Sequence, residues 1–304
     1  MKPRDLAVYL FLAIAWGLSF LVMLQVLFSF GLVGAVSFRS FIAVGMLVIL
    51  ATAMRRRLDF SAGWHHFVIV GLTTVVIQLI GLTFAMSRIG TAMSAILVSS
   101  IPLFSMLISR AWGMERISGS GFVGLALGVL GIVLLVGFPV EPVTADFVIG
   151  CVAALVACVG AAFGSNYANR HLRCTGAWEV TIGAFLSAGV ITLPFLFAVP
   201  VPAMPSAVDF GYLLIAGCLM SALTYVCYFD LVASIGPTRA ISVEFAVTLV
   251  AVFVGAIMLG EQLSPIQIAG GAVILAGCAL VLGLFSFQRS KVAEIPLPHQ
   301  DGLP

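Results

Sequence analysis

Two ionisable side chains, Arg39 and Glu244, lie inside long apolar runs. A charge at mid-helix in a membrane costs about 2.5–3.5 kcal/mol on insertion scales for Arg or Asp, so it is kept chiefly where a cavity or a partner offsets the cost. A guanidinium fork can hold a substrate carboxylate or phosphate. A carboxyl group can take up and release a proton, or hold a substrate amine. Together the two suit a zwitterion. Each also has a structural reading: Arg39 as a snorkelling or carbonyl-binding arginine at a packing seam, and Glu244 as a carboxyl held by Arg239 or by neighbouring hydroxyls. Trp16, Gln78, Asn166, Tyr167 and Tyr225 add stacking faces and neutral hydrogen-bonding groups within the same kind of run. Polar groups in membrane helices often bond their own backbone or a neighbour instead.

The elements that carry these residues belong in lipid. The chain has 304 residues, 62% apolar and 9% charged, against about 45–50% and about 25% for a soluble domain. Ten apolar runs, at roughly 6–28, 33–54, 66–87, 91–112, 119–138, 147–169, 177–199, 209–232, 237–259 and 265–286, are each long enough to cross about 30 Å of hydrocarbon as a helix. Their continuous apolar character excludes barrel strands, which alternate. With a cytoplasmic N-terminus, twelve Lys and Arg fall in inner loops and ends and only Arg88 in an outer one, which is the positive-inside pattern for ten spans and two cytoplasmic termini. Trp64, Trp112 and Trp178 fall near span ends, whereas Trp16 lies about 15 Å in, near the membrane centre. Arg39 and Glu244 should differ in depth by roughly 10 Å, so no direct ion pair is expected without strong tilt.

Several function classes drop out. A net charge of +2 without a basic patch argues against nucleic-acid binding. The six cysteines lack paired spacing and read as free buried thiols, with no metal or redox site and no cofactor. The four histidines lie in loops or the tail, and neither H-E-x-x-H nor G-x-S-x-G occurs, so a membrane-embedded enzyme is a distant alternative. No Walker sequence supplies ATP-driven transport.

Sliding the chain against itself gives a constant gap-free offset of 146 residues. It pairs Gly71 with Gly217, Gly90 with Gly236, Glu115 with Glu261, Ser118 with Ser264, Gly124 with Gly270, Gly131 with Gly277, and Gln78 with Thr224. An offset of 147 extends it upstream, pairing Trp16-Gly17 with Phe163-Gly164 and Ser19 with Asn166. Five spans per copy make the second copy enter from the opposite face. The expected architecture is an all-α integral membrane protein with ten transmembrane helices in two inverted five-helix repeats, 1–146 and 147–289, followed by a polar, disordered cytoplasmic tail, 290–304. Inverted repeats place substrate at their interface near the midplane, with alternating access.

The chain resembles the drug/metabolite transporter superfamily, specifically its EamA-type proteins. The matching residues are Trp16-Gly17, Arg39, Gly90 with Ala95 and Pro102, Glu115 before Gly124, Gly236-Pro237, Gly260-Glu261-Gln262-Leu263, Gly270-Gly271 and Gly277. The resemblance implies a secondary transporter in the bacterial inner membrane, moving a small metabolite such as an amino acid or related amphipathic or zwitterionic compound by efflux or exchange. Uptake of a vitamin or nucleotide-like metabolite is the alternative. Its partners are that small molecule, the lipid bilayer and, through Glu244, a coupling proton. One departure is Thr248, the repeat partner of Pro102, where the family often has proline; a kink expected in the fourth span is then missing from the ninth. Gly121, Gly124, Gly128 and Gly131 form a small-residue stripe suited to packing on the tenth span. A homodimer contact is the alternative for that stripe. Glu115 and Glu261 read as caps or surface anchors.

Overall fold

The computed structural model describes residues 3–114, 119–137, 144–202, 204–235, 240–260 and 262–281. Those residues form helices and turns, with no strand among them. The first element, α1 (Pro3–Ala53), has 51 residues but is broken at Gly31, where φ is 70° and ψ 174°. A straight helix of that length would run about 76 Å, more than twice a hydrocarbon core. The break folds it into two arms, 3–30 and 32–53. Glycine is needed there because this φ is left-handed and a Cβ would also meet Pro202 Cδ at 3.2 Å.

The remaining helices are α2 (Trp64–Ile89), α3 (Thr91–Ala111), α4 (Gly119–Gly137), α5 (Ala145–His171), α6 (Ala177–Phe197), α7 (Ala207–Ile235), α8 (Val243–Met258) and α9 (Pro265–Val281). Six of the nine, α1 to α3 and α5 to α7, are long and apolar enough to cross a membrane; α8 and the apolar stretches 122–134 of α4 and 265–277 of α9 are shorter. The fold is that of an all-helical membrane protein. Side chains such as Phe28, Ile49, Val156 and Phe253 are exposed on its outside, as lipid-facing residues must be. The centre belongs to α3, whose most apolar window is 83% buried against 39% for α1 and α2.

Local chemistry explains the ends and breaks. Thr144 caps α5 by accepting from Phe147 N–H at 3.2 Å, and Ser206 with Asp209 forms a reciprocal capping box on α7. α3 is interrupted at Ser99–Ser100, directly before Pro102, which sits in the first turn of the following helical stretch. This is the backbone break expected beside Pro102. α8 runs unbroken through Thr248, as the absence of proline implies. The Thr248 hydroxyl donates to its own Glu244 carbonyl at 2.8 Å and lies 3.0 Å from the Ala95 carbonyl of α3 as a second acceptor.

α2 and α7 each contain a stretch of wide, π-helical turns, at Gly71–Ile77 and Ile215–Leu223. Shifted by 146 residues, 71–77 becomes 217–223, inside the second stretch. Such widened turns occur mostly as single bulges and often at functional sites.

Contacts at the two ends order the helices. At one end, Ser234 donates to Asp5 at 3.2 Å, Arg56 lies 5.1 Å from the Trp178 ring, Arg170 lies 5.6 Å from that of Trp112, and His66 Nδ1 is 2.8 Å from the Tyr167 hydroxyl. At the other, Ser29 donates to Asp209 at 2.7 Å, Arg88 is 4.0 Å from Asp146, and Gln267 reaches Met93 Sδ at 3.4 Å. The first basic end also holds Trp64, Trp112 and Trp178, in keeping with the interfacial role of indoles.

The glycine stripe is taken up within the chain. Gly131 abuts Gly270 and Ile274, and Gly277 abuts Gly124 and Gly128, so that a Cβ on Gly277 would stand 2.6 Å from the Gly124 carbonyl oxygen. Backbone on both sides leaves nothing free to move aside. Gly277→Val is expected to destabilise the protein by about 1–3 kcal/mol through overpacking, measured as a lower melting temperature in detergent; an unchanged melting temperature would contradict the close crossing of α4 and α9. The proposed caps or anchors Glu115 and Glu261, the repeat residue Ser118, the Gly236-Pro237 pair, Arg239 and the tail 290–304 lie outside the described residues.

Candidate functional site

A cavity of about 560 Å³, counting its opening, lies among both arms of α1 and helices α2, α3, α7 and α8. Its polar lining is Trp16, Ser19, Arg39, Gln78, Thr83, Tyr225 and Glu244, and its apolar wall includes Met23, Leu82, Met86 and Val98. That mixture of polar groups and apolar wall suits an amphipathic ligand. A smaller space of about 330 Å³ adjoins it and shares Trp16, Gln78, Tyr225 and Glu244, adding Ser165 and Tyr228. The four shared residues therefore stand between the two spaces.

Gly17 positions Trp16. A Cβ at Gly17 would overlap Val250, so only glycine lets the first arm of α1 close on α8. The neighbouring indole then stands in the cavity wall, its ring centroid 5.6 Å from Tyr225 in an edge contact and 5.3 Å from Tyr228. The Tyr228 hydroxyl is tethered to Ser165 at 3.2 Å.

Glu244 sits in the first turn of α8 and is 8% exposed. Among the described residues its carboxylate has neither an ion pair nor a hydrogen bond; Thr248 takes its backbone carbonyl instead. The Gln78 amide likewise has no protein partner there. Both groups therefore keep their hydrogen-bonding capacity for whatever occupies the space.

Arg39 is 2% exposed and differently placed. Its Nε donates to the Ser221 hydroxyl, one terminal nitrogen contacts Met23 Sδ at 2.9 Å, and the other donates to the Met220 carbonyl at 2.9 Å. It binds a carbonyl at the seam between the second arm of α1 and α7. Three of its five N–H groups are thus engaged, and the rest remain for an anion. Arg39 and Glu244 line one cavity without forming an ion pair, as their different depths implied.

Trp16, Arg39, Gln78, Tyr225 and Glu244 are thus brought together, and Asn166 and Tyr167 are not. Asn166 is 1% exposed and donates to Ser105 Oγ at 2.7 Å and to the Ala162 carbonyl at 2.8 Å, tying α5 to α3. Its neighbour Ser165 faces the smaller space, because one residue along a helix turns the side chain by about 100°. Tyr167 stacks among Phe163, His66 and His171 at the basic end. The repeat pairs are therefore unequally placed: Gln78 and Ser19, whose hydroxyl donates to the Trp16 carbonyl at 2.6 Å, line the cavity, whereas Asn166 and Thr224 line neither space. Met23, Met86 and Val98 carry no sequence signal that separates a cavity wall from any other apolar position in a span.

The cysteines need one correction. Cys151, Cys158, Cys174, Cys218 and Cys227 are free, but Cys174, just beyond α5, is exposed, and Cys218 and Cys227 are only partly buried. The Cys278 side chain lies outside the described set. Among the described residues no group of three His, Cys, Asp or Glu could hold a metal ion.

Comparison with known proteins places the chain among membrane transporters. The chain is 26% identical over 266 residues to the uncharacterized inner membrane transporter YedA of Escherichia coli (strain K12), covering 83% of this chain and 82% of that protein. It is 26% identical over 308 residues to Protein PecM of Dickeya dadantii, covering 99% of each. It is also 26% identical over 279 residues to a probable terminal-alkyne amino-acid exporter of Streptantibioticus cattleyicolor, covering 88% of this chain and 90% of that one. A solved crystal structure superposes with a TM-score of 0.68 at 15% identity, covering 93% of this chain and 98% of its own, which establishes likeness of fold. The model of the EamA-like transporter family matches twice, at residues 5–137 and 148–283. With both matches together spanning most of its length, the chain belongs to the EamA-like transporter family.

Proposed function

We propose that this membrane transporter is a secondary carrier of ten spans, built from two inverted five-helix repeats at 1–146 and 147–289, with both termini in the cytoplasm. Support for the inversion comes from the order of contacts: Asp5 opens the first half at the basic end, while Asp146 opens the second at the end that holds Arg88. The break at Gly31 and the three shorter helices support a count of ten. The abundance of Arg at the first end supports placing it in the cytoplasm.

Its substrate is an amino acid or a related amphipathic, zwitterionic compound, exported or exchanged by alternating access. The observation that carries this reading is the cavity itself. A carboxylate without a partner among the described residues, Glu244, and a guanidinium with N–H groups to spare, Arg39, face one space beside an apolar wall. A ligand with an amine, a carboxylate and an apolar body would satisfy all three. The Streptantibioticus relative, a probable terminal-alkyne amino-acid exporter, favours the same class.

A growth screen of an overexpressing strain against toxic amino acids, antimetabolites and vitamins, followed by counterflow of each hit in proteoliposomes, tests the assignment. Amino-acid analogues are expected to be tolerated and to exchange; hits confined to vitamins or nucleotide-like compounds would replace it. Cysteine labelling should place residues 140–146 and 55–57 on opposite faces. A common face would overturn the inverted arrangement.

A further inference from the structure

The two wide-turn stretches share more than position. Within each, a hydroxyl serves a carbonyl at its start: Thr74 Oγ donates to Val70 O at 2.7 Å, and Ser221 Oγ donates to Ala216 O at 2.8 Å. Val70 and Ala216 are 146 residues apart. Four residues on in each stretch, at Thr74 and Met220, also 146 apart, the carbonyl accepts from a side chain that crosses between halves. Tyr225 of α7 donates to Thr74 O of α2 at 3.3 Å, and Arg39 of α1 donates to Met220 O of α7 at 2.9 Å. Both donors line the cavity.

Packing makes these stretches consequential. A Cβ on Gly71 would overlap the Ala184 carbonyl of α6, and one on Gly217 would overlap Ile42 in the second arm of α1. Each wide stretch therefore begins at a crossing with a helix of the other half and has no slack there. A change of pitch in α2 or α7 must push its neighbour, since close-packed interiors rearrange in discrete steps rather than by gradual deformation.

We infer that Tyr225 and Arg39 are positioning residues that tie these two stretches to the occupancy of the cavity. A ligand that hydrogen-bonds the Tyr225 hydroxyl or the Arg39 guanidinium competes with the carbonyls of Thr74 and Met220. As either tie is exchanged for the ligand, the wide turns of α2 and α7 are released, and the halves move against each other at the Gly71 and Gly217 crossings. Differential bonding in the tied and released states is what a ligand needs in order to shift such an equilibrium. The inference rests on the transport reading above, to which it adds the coupling between site and motion.

The test compares the full chain in lipid nanodiscs, without ligand, by hydrogen–deuterium exchange for the wild type, Tyr225→Phe and Ser221→Ala. Losing one hydrogen bond of ordinary strength should speed exchange about fivefold. The increase is expected in residues 71–80 for Tyr225→Phe and in 215–226 for Ser221→Ala, while α4 and α9 stay at the wild-type rate. Counterflow with a compound from the growth screen should then show a lower maximal rate for both variants, with the half-saturation concentration little changed for Ser221→Ala, a position that lines neither space, and raised for Tyr225→Phe, which loses the hydroxyl the ligand would bond; a purely structural residue would not divide the two constants as Ser221→Ala does. Unaltered exchange in these segments for both variants overturns the ties. Faster exchange with wild-type maximal rates overturns the coupling. A wild type that carries no screened compound sinks the transport reading, and the exchange data alone then judge the ties. Ser221→Ala keeps the test decisive should Tyr225→Phe fail to fold.

Discussion

Glu244→Gln is expected to flatten the pH dependence of transport in reconstituted vesicles and to raise the half-saturation concentration of an amine-bearing substrate roughly tenfold to hundredfold. The second figure is the loss of a charge-assisted hydrogen bond, about 1.5–3 kcal/mol. Glutamine retains the size and one acceptor oxygen of the native side chain, replaces the other oxygen with an NH2 donor and cannot ionise. The ionised carboxylate holds an ammonium group, and the protonated acid does not, so amine binding by the native protein should weaken as the pH falls. With glutamine that trend disappears. No basic side chain among the described residues competes for the carboxylate. An unchanged pH dependence would remove the coupling proton from Glu244, and an unchanged half-saturation concentration would remove the amine contact.

Arg39→Ala is expected to cost about 2–4 kcal/mol of stability and to raise the half-saturation concentration for an anionic or zwitterionic substrate. The stability term follows from its partners: Ser221, Met23 and the Met220 carbonyl lose a donor together, and the buried carbonyl cannot turn to water. The affinity term requires the N–H groups left over from those bonds. Arg39→Lys separates the two, because lysine keeps the charge and loses the planar fork. Thermal melting and counterflow read them independently. A melting temperature that falls while affinity stays constant would make Arg39 a packing pin alone; constancy of both would remove the structural role as well.

Much of this architecture follows from local chemistry and could be read without coordinates. Apolar runs must be helical in lipid because every backbone group needs an internal partner, so the helices appear near their expected limits. The break beside Pro102, the unbroken course of α8 past Thr248, and the packing of the Gly124–Gly131 stripe on Gly270 and Gly277 likewise depend on one residue type at one position. The cost of burying charge singled out Arg39 and Glu244, and both line the cavity with Trp16, Gln78 and Tyr225.

What only the tertiary structure decided is which face each polar residue presents and which neighbour has already claimed it. Asn166 and Ser165 are equally plausible on paper, but the Ser105 hydroxyl takes the amide of one and leaves the other toward the smaller space. Tyr167 finds His66, and the Arg39 fork finds the widened turns of α7, through contacts 101 and 181 residues apart in sequence. Met23 and Met86 could face lipid as readily as a ligand, since both environments favour the same side chains. Rotation about a helix axis and the pairing of distant hydrogen-bonding groups are properties of the assembled bundle; composition and spacing along one strand of sequence carry neither.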